Sequence, residues 1–424
     1  SMIEVDQTRK PCTIVFIGHV DHGKSTISGN ILYKTGQIDE RTIEKYQREA
    51  KVHNRESWFI AYIFDINDEE RERGKTVEVG KAFFTTASKR FTILDAPGHK
   101  GFVPNMIQGA CQADYGALVI SAKVGEFEAG FEGEGRTREH AILAKSLGVY
   151  KLVVIVNKMD DDAVRWDKGR FDHIKSQVNP FLKSIGFKDK DVTWIPMSGL
   201  TGENMIEPVS EHKCSWYKGQ TLFEILEGLE VPPRLENGPV RIPILDRYKE
   251  NGMHALGKLE SGTLKYGATY TIMPSRLSFE VAWLFNSEEK GVPYALPGEN
   301  VRIKMKGVEN ESEVARGQVI CSSDDLIPIF NVFEAEIQVI EIPESKKIIA
   351  SGYQCYIHVH TIIDECSLEL ISEIDRETKK EKKAKFILDK SRAKVKITVN
   401  NTICAEKFEK FATLGRFILR DEGM

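Results

Sequence analysis

The stretch Gly18-His19-Val20-Asp21-His22-Gly23-Lys24-Ser25-Thr26 decides which fold this chain can adopt. It satisfies the pattern G-x-x-x-x-G-K-[ST], follows the apolar run Thr13–Ile17 and precedes a segment with helical spacing that begins near Lys24. Between a strand and a helix, such a loop points its backbone N–H groups at phosphate oxygens, and the helix dipole adds to their attraction for the anion. The stretch therefore predicts a phosphate-binding loop, in which Lys24 contacts the β- and γ-phosphates of a nucleotide and Ser25 coordinates Mg²⁺.

A second motif, Asp95-Ala96-Pro97-Gly98-His99, ends the apolar run Phe91–Leu94. The Asp95 carboxylate at that place can hold magnesium through water, and a loop that contains Gly98 can sense the γ-phosphate. Phosphoryl transfer to water needs positioning more than covalent chemistry, so His99 is the candidate that orients the attacking water. An isolated match to the first pattern can be a chance glycine-rich turn, and this second motif weakens that alternative.

Between these two motifs lies Arg73-Gly74-Lys75-Thr76. Its threonine hydroxyl and backbone could close over magnesium when a γ-phosphate is present. Thr76 is therefore the predicted second metal ligand beside Ser25. No arginine can be assigned from the sequence as a catalytic finger within the chain, so slow intrinsic turnover and activation by a partner are expected.

A fourth motif, Asn157-Lys158-Met159-Asp160, follows the apolar run Leu152–Val156. The Asp160 carboxylate can accept from both the ring N–H and the 2-amino group of guanine, whereas adenine offers neither donor in that arrangement. Asn157 is expected to brace the loop, and the stem of Lys158 to lie over the base. Taken alone, this tetrapeptide could equally be a helix cap. Because it follows the phosphate loop and the Asp95 motif along the chain, we interpret it as a base-binding loop that predicts guanine.

A further loop, Ser198-Gly199-Leu200, follows the strand-like segment Val192–Met197. Its backbone N–H groups can donate to the carbonyl oxygen of guanine. The ligands predicted from these loops are therefore GTP or GDP together with Mg²⁺, with ATP rejected.

The order of apolar runs along the chain predicts its architecture. From Thr13 to about Leu229, short apolar runs alternate with longer segments of helical spacing, which is typical of an open α/β domain with a mostly parallel sheet and helices on both faces. Together with the phosphate and guanine motifs, this alternation predicts an α/β P-loop GTPase domain. A linker rich in proline and glycine follows at residues 231–239, and beyond it short alternating segments separated by turns predict two antiparallel β-barrel domains. The expected domains are residues 1–235, 236–328 and 329–424.

Composition narrows the classes of function. The 424 residues carry 59 lysines and arginines against 63 aspartates and glutamates, a net charge of −4, so no strong binding of free nucleic acid is expected. No apolar run approaches the ~20 residues that cross a bilayer, which predicts no membrane contact and a cytoplasmic protein. The seven cysteines are scattered and never spaced as Cys-x-x-Cys, which argues against a disulfide framework or a zinc site.

The order and wording of these motifs resemble the translational GTPases of the class to which the tRNA-carrying elongation factors belong. The matching segments are GHVDHGKST from Gly18, RERGKT from Arg71, DAPGHKGFVPNMI from Asp95, NKMD from Asn157 and SGLTGEN from Ser198. The likeness covers nearly the whole chain. Within that class, three segments look most like the eukaryotic release factor GTPases of translation termination: Gly74–Gly80, Gly101–Met106 and Ile418–Gly423.

This resemblance implies a factor that binds a class I release factor, which reads the stop codon, through its barrels and hydrolyses GTP on the ribosome to promote peptide release. It makes Thr76 the switch threonine, Asp95 and Gly98 the γ-phosphate sensors and His99 the catalytic histidine. A contact with the poly(A)-binding protein, known in some relatives, finds no support in the sequence. His22 stands where relatives usually have a small residue, and we expect the loop to tolerate it because its backbone does most of the binding.

Four other functions remain open from the sequence. A ribosome-rescue GTPase that carries a release-factor-like protein has the same domain plan, and an elongation factor that carries aminoacyl-tRNA is a further alternative against which the net charge of −4 argues mildly. A metabolic enzyme could use such a module to drive sulfate activation. A binding module could hold GTP without hydrolysing it.

Overall fold

The computed structural model describes residues 2–52, 80–97, 103–132, 135–343 and 345–421. The chain forms two compact units, Glu4–Arg234 and Leu235–Met424, the latter together with Ser1–Ile3. Each unit has its own sheets and its own buried clusters.

The first unit is built around a six-stranded sheet in the order β2-β3-β1-β4-β5-β6. Strand β2 is antiparallel to β3 and every other neighbouring pair is parallel. The elements are β1 (Lys10–Ile17), α1 (Lys24–Lys34), α2 (Glu40–Val52), β2 (Gly80–Thr85), β3 (Lys89–Asp95), α3 (Val103–Gln112), β4 (Tyr115–Ser121), α4 (Glu126–Phe131), α5 (Arg136–Ser146), β5 (Leu152–Asn157), α6 (Lys168–Ser184), β6 (Val192–Pro196) and α7 (Leu222–Glu227).

Apolar residues on both faces explain why these runs form central strands. All residues of β4 and β5 are buried, as expected of parallel strands that helices cover on both sides. Successive side chains of a strand point to opposite faces, so Val154 and Val156 join one apolar cluster and Val153 and Ile155 the other. Each fully buried aliphatic side chain contributes about 1.5–3 kcal/mol through removal of its surface from water.

The parallel strands end at one edge of the sheet, and the predicted motifs lie there. Asp95 is the last residue of β3 and Asn157 the last of β5. Ser121 ends β4 and is the register partner of Asn157. Ligands of open α/β sheets bind beyond the carboxyl ends of the strands, so this edge is the expected place of a site.

The second unit begins with a closed antiparallel barrel in the order β10-β11-β13-β8-β7-β14. Strands β9 and β12 form a separate two-stranded pair. The elements are β7 (Arg241–Lys249), β8 (Met253–Lys258), β9 (Leu264–Lys265), β10 (Thr269–Met273), β11 (Leu277–Phe285), β12 (Tyr294–Ala295), β13 (Asn300–Lys306) and β14 (Val319–Ser322).

The remainder of this unit is an antiparallel sheet in the order β15-β21-β18-β17-β22, with β19 paired to β18 and a separate pair of β16 with β20. Its longest strands, β18 and β21, have 13 residues each and pair along most of their length. The elements are β15 (Ile329–Gln338), β16 (Ile349–Ala350), β17 (Tyr353–Val359), β18 (Ile362–Ile374), β19 (Glu381–Lys382), β20 (Phe386–Ile387), β21 (Arg392–Cys404), α8 (Ala412–Gly415) and β22 (Phe417–Arg420).

The predicted fold class is confirmed: an α/β domain with a mostly parallel sheet is followed by two antiparallel β domains. The edge strand β2 was not predicted from the sequence. The domain limits after residues 235 and 328 stay a prediction. In the described ranges, no helix has both the length and the apolar character that a bilayer crossing requires.

A buried ion pair joins the two β domains of the second unit. Arg241 is fully buried, and its Nη2 lies 3.2 Å from Glu406 Oε1 and 3.0 Å from Asp325 Oδ1. Its Nη1 also donates to the carbonyl oxygens of Val240 and Asp325. Because a buried cation without its anion is costly, this contact fixes the barrel strand β7 against the segment that follows β21.

We predict that Glu406→Ala lowers the free energy of unfolding of the second unit by about 3 kcal/mol, since it leaves the guanidinium of Arg241 with one carboxylate fewer in a buried position. Urea denaturation of the full chain measures the change. The matched control is Glu280→Ala, which breaks an exposed pair with Lys306 at 3.3 Å and should cost less than about 1 kcal/mol. Equal losses in the two variants would contradict the assignment.

Candidate guanine nucleotide-binding site

Two glycines of the phosphate loop stand where no side chain fits. Gly18 has φ +141°, and a Cβ atom there would lie 2.4 Å from the carbonyl oxygen of Val119 in β4. Gly23 has φ +94°, and a Cβ atom there would lie 2.3 Å from Nδ2 of Asn157. The sequence therefore needs glycine at both positions, because the loop approaches the sheet edge and the base loop closely.

Lys24 begins helix α1 and turns its amine back into the loop. Its Nζ donates to the carbonyl oxygens of Gly18 at 2.9 Å and His19 at 2.8 Å. Burial lowers the pKa of Lys24 to about 8, against the opposing pull of the Asp95 and Asp21 carboxylates. The loop thus holds a cationic group at its centre, where an anion would be attracted.

The side chains of Ser25 and Asp95 meet although they lie on different elements. The Ser25 hydroxyl, in the first turn of α1, donates to Asp95 Oδ2 at the end of β3. The parallel pairing of β1 with β3 brings these residues together, since it places Asp95 beside Phe16, near the start of the phosphate loop. Two oxygens of the kind that magnesium prefers therefore lie side by side next to the loop.

His22 belongs to the phosphate loop, and its side chain is buried. Its Nδ1 lies 3.2 Å from the carbonyl oxygen of Val119, and its Nε2 lies 3.1 Å from that of Glu126. Burial, helped by the nearby Lys24 charge, lowers the pKa of His22 to about 3, so the ring is neutral. Gly130 makes room for it, because a Cβ atom at that position would lie 2.3 Å from the ring.

Two further histidines join the phosphate loop to helix α5: His140 lies on the helix and His19 lies in the loop. The backbone N–H of Gly18 donates to Nδ1 of His140 at 3.1 Å, and that of Arg136 donates to Nδ1 of His19 at 3.3 Å. His140 lies on helix α5, and burial holds its pKa well below the usual range. A neutral ring can accept a hydrogen bond, so His140 fixes the first glycine of the loop.

Asn157 connects three loops. Its Nδ2 donates to the carbonyl oxygen of His22 at 2.9 Å, and its Oδ1 accepts from the N–H of Gly199 at 2.7 Å. From helix α1, Asn30 Nδ2 donates to the carbonyl oxygens of Gly199 at 2.8 Å and Leu200 at 3.3 Å. The phosphate loop, the 157–160 loop and the 198–200 loop are thereby tied into one polar network.

Lys158 adopts φ +61° directly after β5. Its Nζ donates to Glu126 Oε2 at 2.7 Å. The backbone N–H of Met159 donates to the carbonyl oxygen of Met197, which lays the 157–160 loop against the end of β6. Asp160 follows with a half-buried side chain. The hydrogen bond thus joins Met159, the residue before Asp160, to Met197, the residue before the 198–200 loop.

The structure thus brings together the phosphate loop, Asp95 and the two predicted base loops. Three predicted residues lie outside the described part of the chain: Thr76, Gly98 and His99.

Four residues of the site were not singled out as site residues from the sequence: Asn30, Glu126, Gly130 and His140. An acidic residue soon after the buried run that ends at Ser121 was a usable signal for Glu126, because such positions lie at the ligand edge of a parallel sheet. Nothing in the local pattern distinguishes the other three.

Comparisons with known proteins identify the family of this chain. The family described as the elongation factor Tu GTP binding domain matches residues 9–233, and the family described as GTP-eEF1A C-terminal domain-like matches residues 332–424. The chain is 44% identical to the eukaryotic peptide chain release factor GTP-binding subunit of Kluyveromyces lactis and 45% identical to that of Debaryomyces hansenii. Each alignment covers 97% of this chain but 59% and 58% of the relative, so the chain spans about three-fifths of their length.

Among solved structures, the fold is similar to the Ski7 GTPase-like domain of S. cerevisiae bound to GTP, with a TM-score of 0.78. The identity is 19%, over 97% of this chain and 95% of that one, so this likeness concerns the fold. The first family accounts for more than half of the residues and contains every loop of the described site. The chain therefore belongs to the family of the elongation factor Tu GTP-binding domain.

Proposed function

We propose that this chain is the GTPase part of a translation termination factor, which binds GTP with Mg²⁺ and hydrolyses it on the ribosome in company with a class I release factor. The convergence of the phosphate loop, Asp95 and two base loops at one sheet edge supports GTP binding. The names of the relatives in Kluyveromyces lactis and Debaryomyces hansenii support the role in termination.

The phosphate side of the site suits a nucleoside triphosphate. Lys24 would exchange its contacts with the carbonyls of Gly18 and His19 for contacts with phosphate oxygens, and the loop from His19 to Thr26 would surround the phosphates with backbone N–H groups. The adjacent oxygens of Ser25 and Asp95 fit Mg²⁺, which takes one or two ligands from protein and the rest from phosphates and water. Neutralisation of phosphate charge is what that ion supplies when bound.

The base side suits guanine. Asp160 would accept from the two N–H donors of the base, and the 198–200 loop, held by Asn157 and Asn30, would donate to its carbonyl oxygen. Both loops are fixed by hydrogen bonds within the described structure, so the base would meet groups already in place. Such preorganisation favours high nucleotide affinity because the two loops lose little conformational entropy when the base binds.

The residues that would take part in hydrolysis are assigned from the sequence motifs alone. His99 would orient the attacking water, Gly98 would sense the γ-phosphate, and Thr76 would complete the coordination of the metal. These three residues stand outside the described ranges, and their roles rest on their motifs.

The role in termination also has consequences for partners and location. A class I release factor would bind through the second unit, and the ribosome would stimulate turnover in the cytoplasm. The relatives are longer than this chain, so their remaining segments lie outside the comparison. A ribosome-rescue factor stays the second candidate because its domain plan is the same.

GTP hydrolysis with purified ribosomes tests the proposal. Reactions would contain the chain alone, the chain with a class I release factor, and the chain with a rescue-type partner. Stimulation by the release factor alone is the expected result. Stimulation only by the rescue partner would assign the chain to ribosome rescue. Stimulation by neither partner would reject both proposals.

We expect His99→Ala to retain GTP binding while slowing stimulated hydrolysis by at least ~100-fold, a size typical of the loss of a positioned catalytic group. Single-turnover hydrolysis on ribosomes measures the rate, and a filter assay measures binding. His212→Ala, at an exposed position of the same unit, serves as the control and should behave as the parent. A His99→Ala chain that hydrolyses GTP at the parental rate would remove this histidine from the mechanism.

We expect Asp160→Asn to lower the preference for GTP over xanthosine triphosphate by roughly 10- to 100-fold, because a charged acceptor of two hydrogen bonds is replaced by an amide. Competition binding with both nucleotides gives the ratio. Asp162→Asn is the control: this aspartate is exposed and lies two residues further along the chain, so the variant should leave the ratio of affinities unchanged. An unaltered ratio in Asp160→Asn would refute the assignment of the base-selecting carboxylate.

A further inference from the structure

We propose that Glu126 is a positioning residue of the nucleotide site: its carboxylate holds the amine of Lys158 so that the lysine stem is preset to cover the base. The inference rests on the proposed guanine nucleotide site and adds a residue to it. Nothing in the phosphate-loop or base motifs includes Glu126, which lies in the segment after β4.

The carboxylate of Glu126 receives two hydrogen bonds at one oxygen. Oε2 accepts from Lys158 Nζ at 2.7 Å and from Ser121 Oγ at 2.7 Å. Ser121 is fully buried at the end of β4, so it fixes the carboxylate to the sheet edge. The side chains of Lys158 and Glu126 are 31% and 28% exposed, which makes the pair partly sheltered from solvent.

The backbone of the same residue contacts the phosphate loop. The carbonyl oxygen of Glu126 lies 3.1 Å from Nε2 of the buried His22. Glu126 therefore contacts the base loop through its side chain and the phosphate loop through its main chain. A shift of this residue would disturb both halves of the site.

The segment that carries Glu126 is itself fixed. Arg170 on helix α6 donates through Nε to the carbonyl oxygen of Ala122 at 2.7 Å and through Nη1 to Glu128 Oε1 at 2.8 Å. Glu128 also accepts from the N–H of Gly125 at 2.7 Å, at the start of helix α4. These hydrogen bonds fix the backbone of residues 122–128, and with it the position from which Glu126 reaches Lys158.

Anchoring the amine has a direct effect on the lysine stem. A free lysine side chain samples many rotamers, and binding a base against it would require that freedom to be lost. With Nζ held by Glu126, the methylene groups run between the end of β5 and the start of α4 before any ligand arrives. A lysine stem that is already held in place can pack against a flat base without a further loss of side-chain entropy on binding.

Fluorescent GDP dissociation from the full chain tests the proposal in parent, Glu126→Gln, Lys158→Met and the double variant. Glutamine has the shape of glutamate but lacks its charge, and thermal unfolding checks that each variant is folded. We expect Glu126→Gln and Lys158→Met each to speed dissociation by roughly 5-fold, and the double variant to be no faster than Lys158→Met alone. Lys123→Met is the matched control, because its amine lies 3.6 Å from the other oxygen of the same carboxylate and should not matter.

Parental dissociation in folded Glu126→Gln would overturn the inference, as would an effect of Glu126→Gln that persists undiminished in the Lys158→Met background. The second result would mean that Glu126 acts through something other than the lysine. A parent chain that retains no GDP at all would instead reject the proposed nucleotide site, so the two failures are distinguishable.

Discussion

The close approach of the phosphate loop to its surroundings is the constraint on which the site depends. At Gly18 the loop touches the main chain of β4, and at Gly23 it touches the side chain of Asn157, with no space for a methyl group at either place. Those two contacts set the height of the loop above the sheet edge and the position where helix α1 begins. They also determine how close the loop lies to Asp95, Asn157 and the 198–200 loop.

Polar groups of different loops hydrogen-bond to one another at this edge of the sheet. Asn157 bonds to both neighbouring loops, and the neutral ring of His140 accepts from the loop backbone. Buried polar groups are costly unless they are hydrogen-bonded, so a network with its partners in place restricts the site to one arrangement. The helices and strands hold the network from outside, through apolar clusters on both faces of the sheet.

Local sequence predicted the parts of the structure that depend on local pattern. Fully apolar runs such as Leu152–Val156 identified the central strands, and glycine spacing identified the loop from Gly18 to Ser25. The partners of these loops were harder to foresee, because their contacts join residues distant along the chain: His140 is 122 positions from Gly18, and Asn30 is 169 from Gly199. The edge strand Gly80–Thr85 also escaped prediction, since its short segment acquires strand structure by pairing with β3.

The close contact of His22 with Gly130 restricts which side chains these two positions can hold together. The imidazole fills the volume that a side chain at position 130 would need, at 2.3 Å from the site of its Cβ atom, whereas the next obstacle, His19 Cβ, is 3.1 Å away. A side chain at position 130 would therefore push the imidazole away from the carbonyl oxygens of Val119 and Glu126. The size of the residue at position 22 and the absence of a side chain at position 130 thus depend on each other, although the two positions are far apart along the chain.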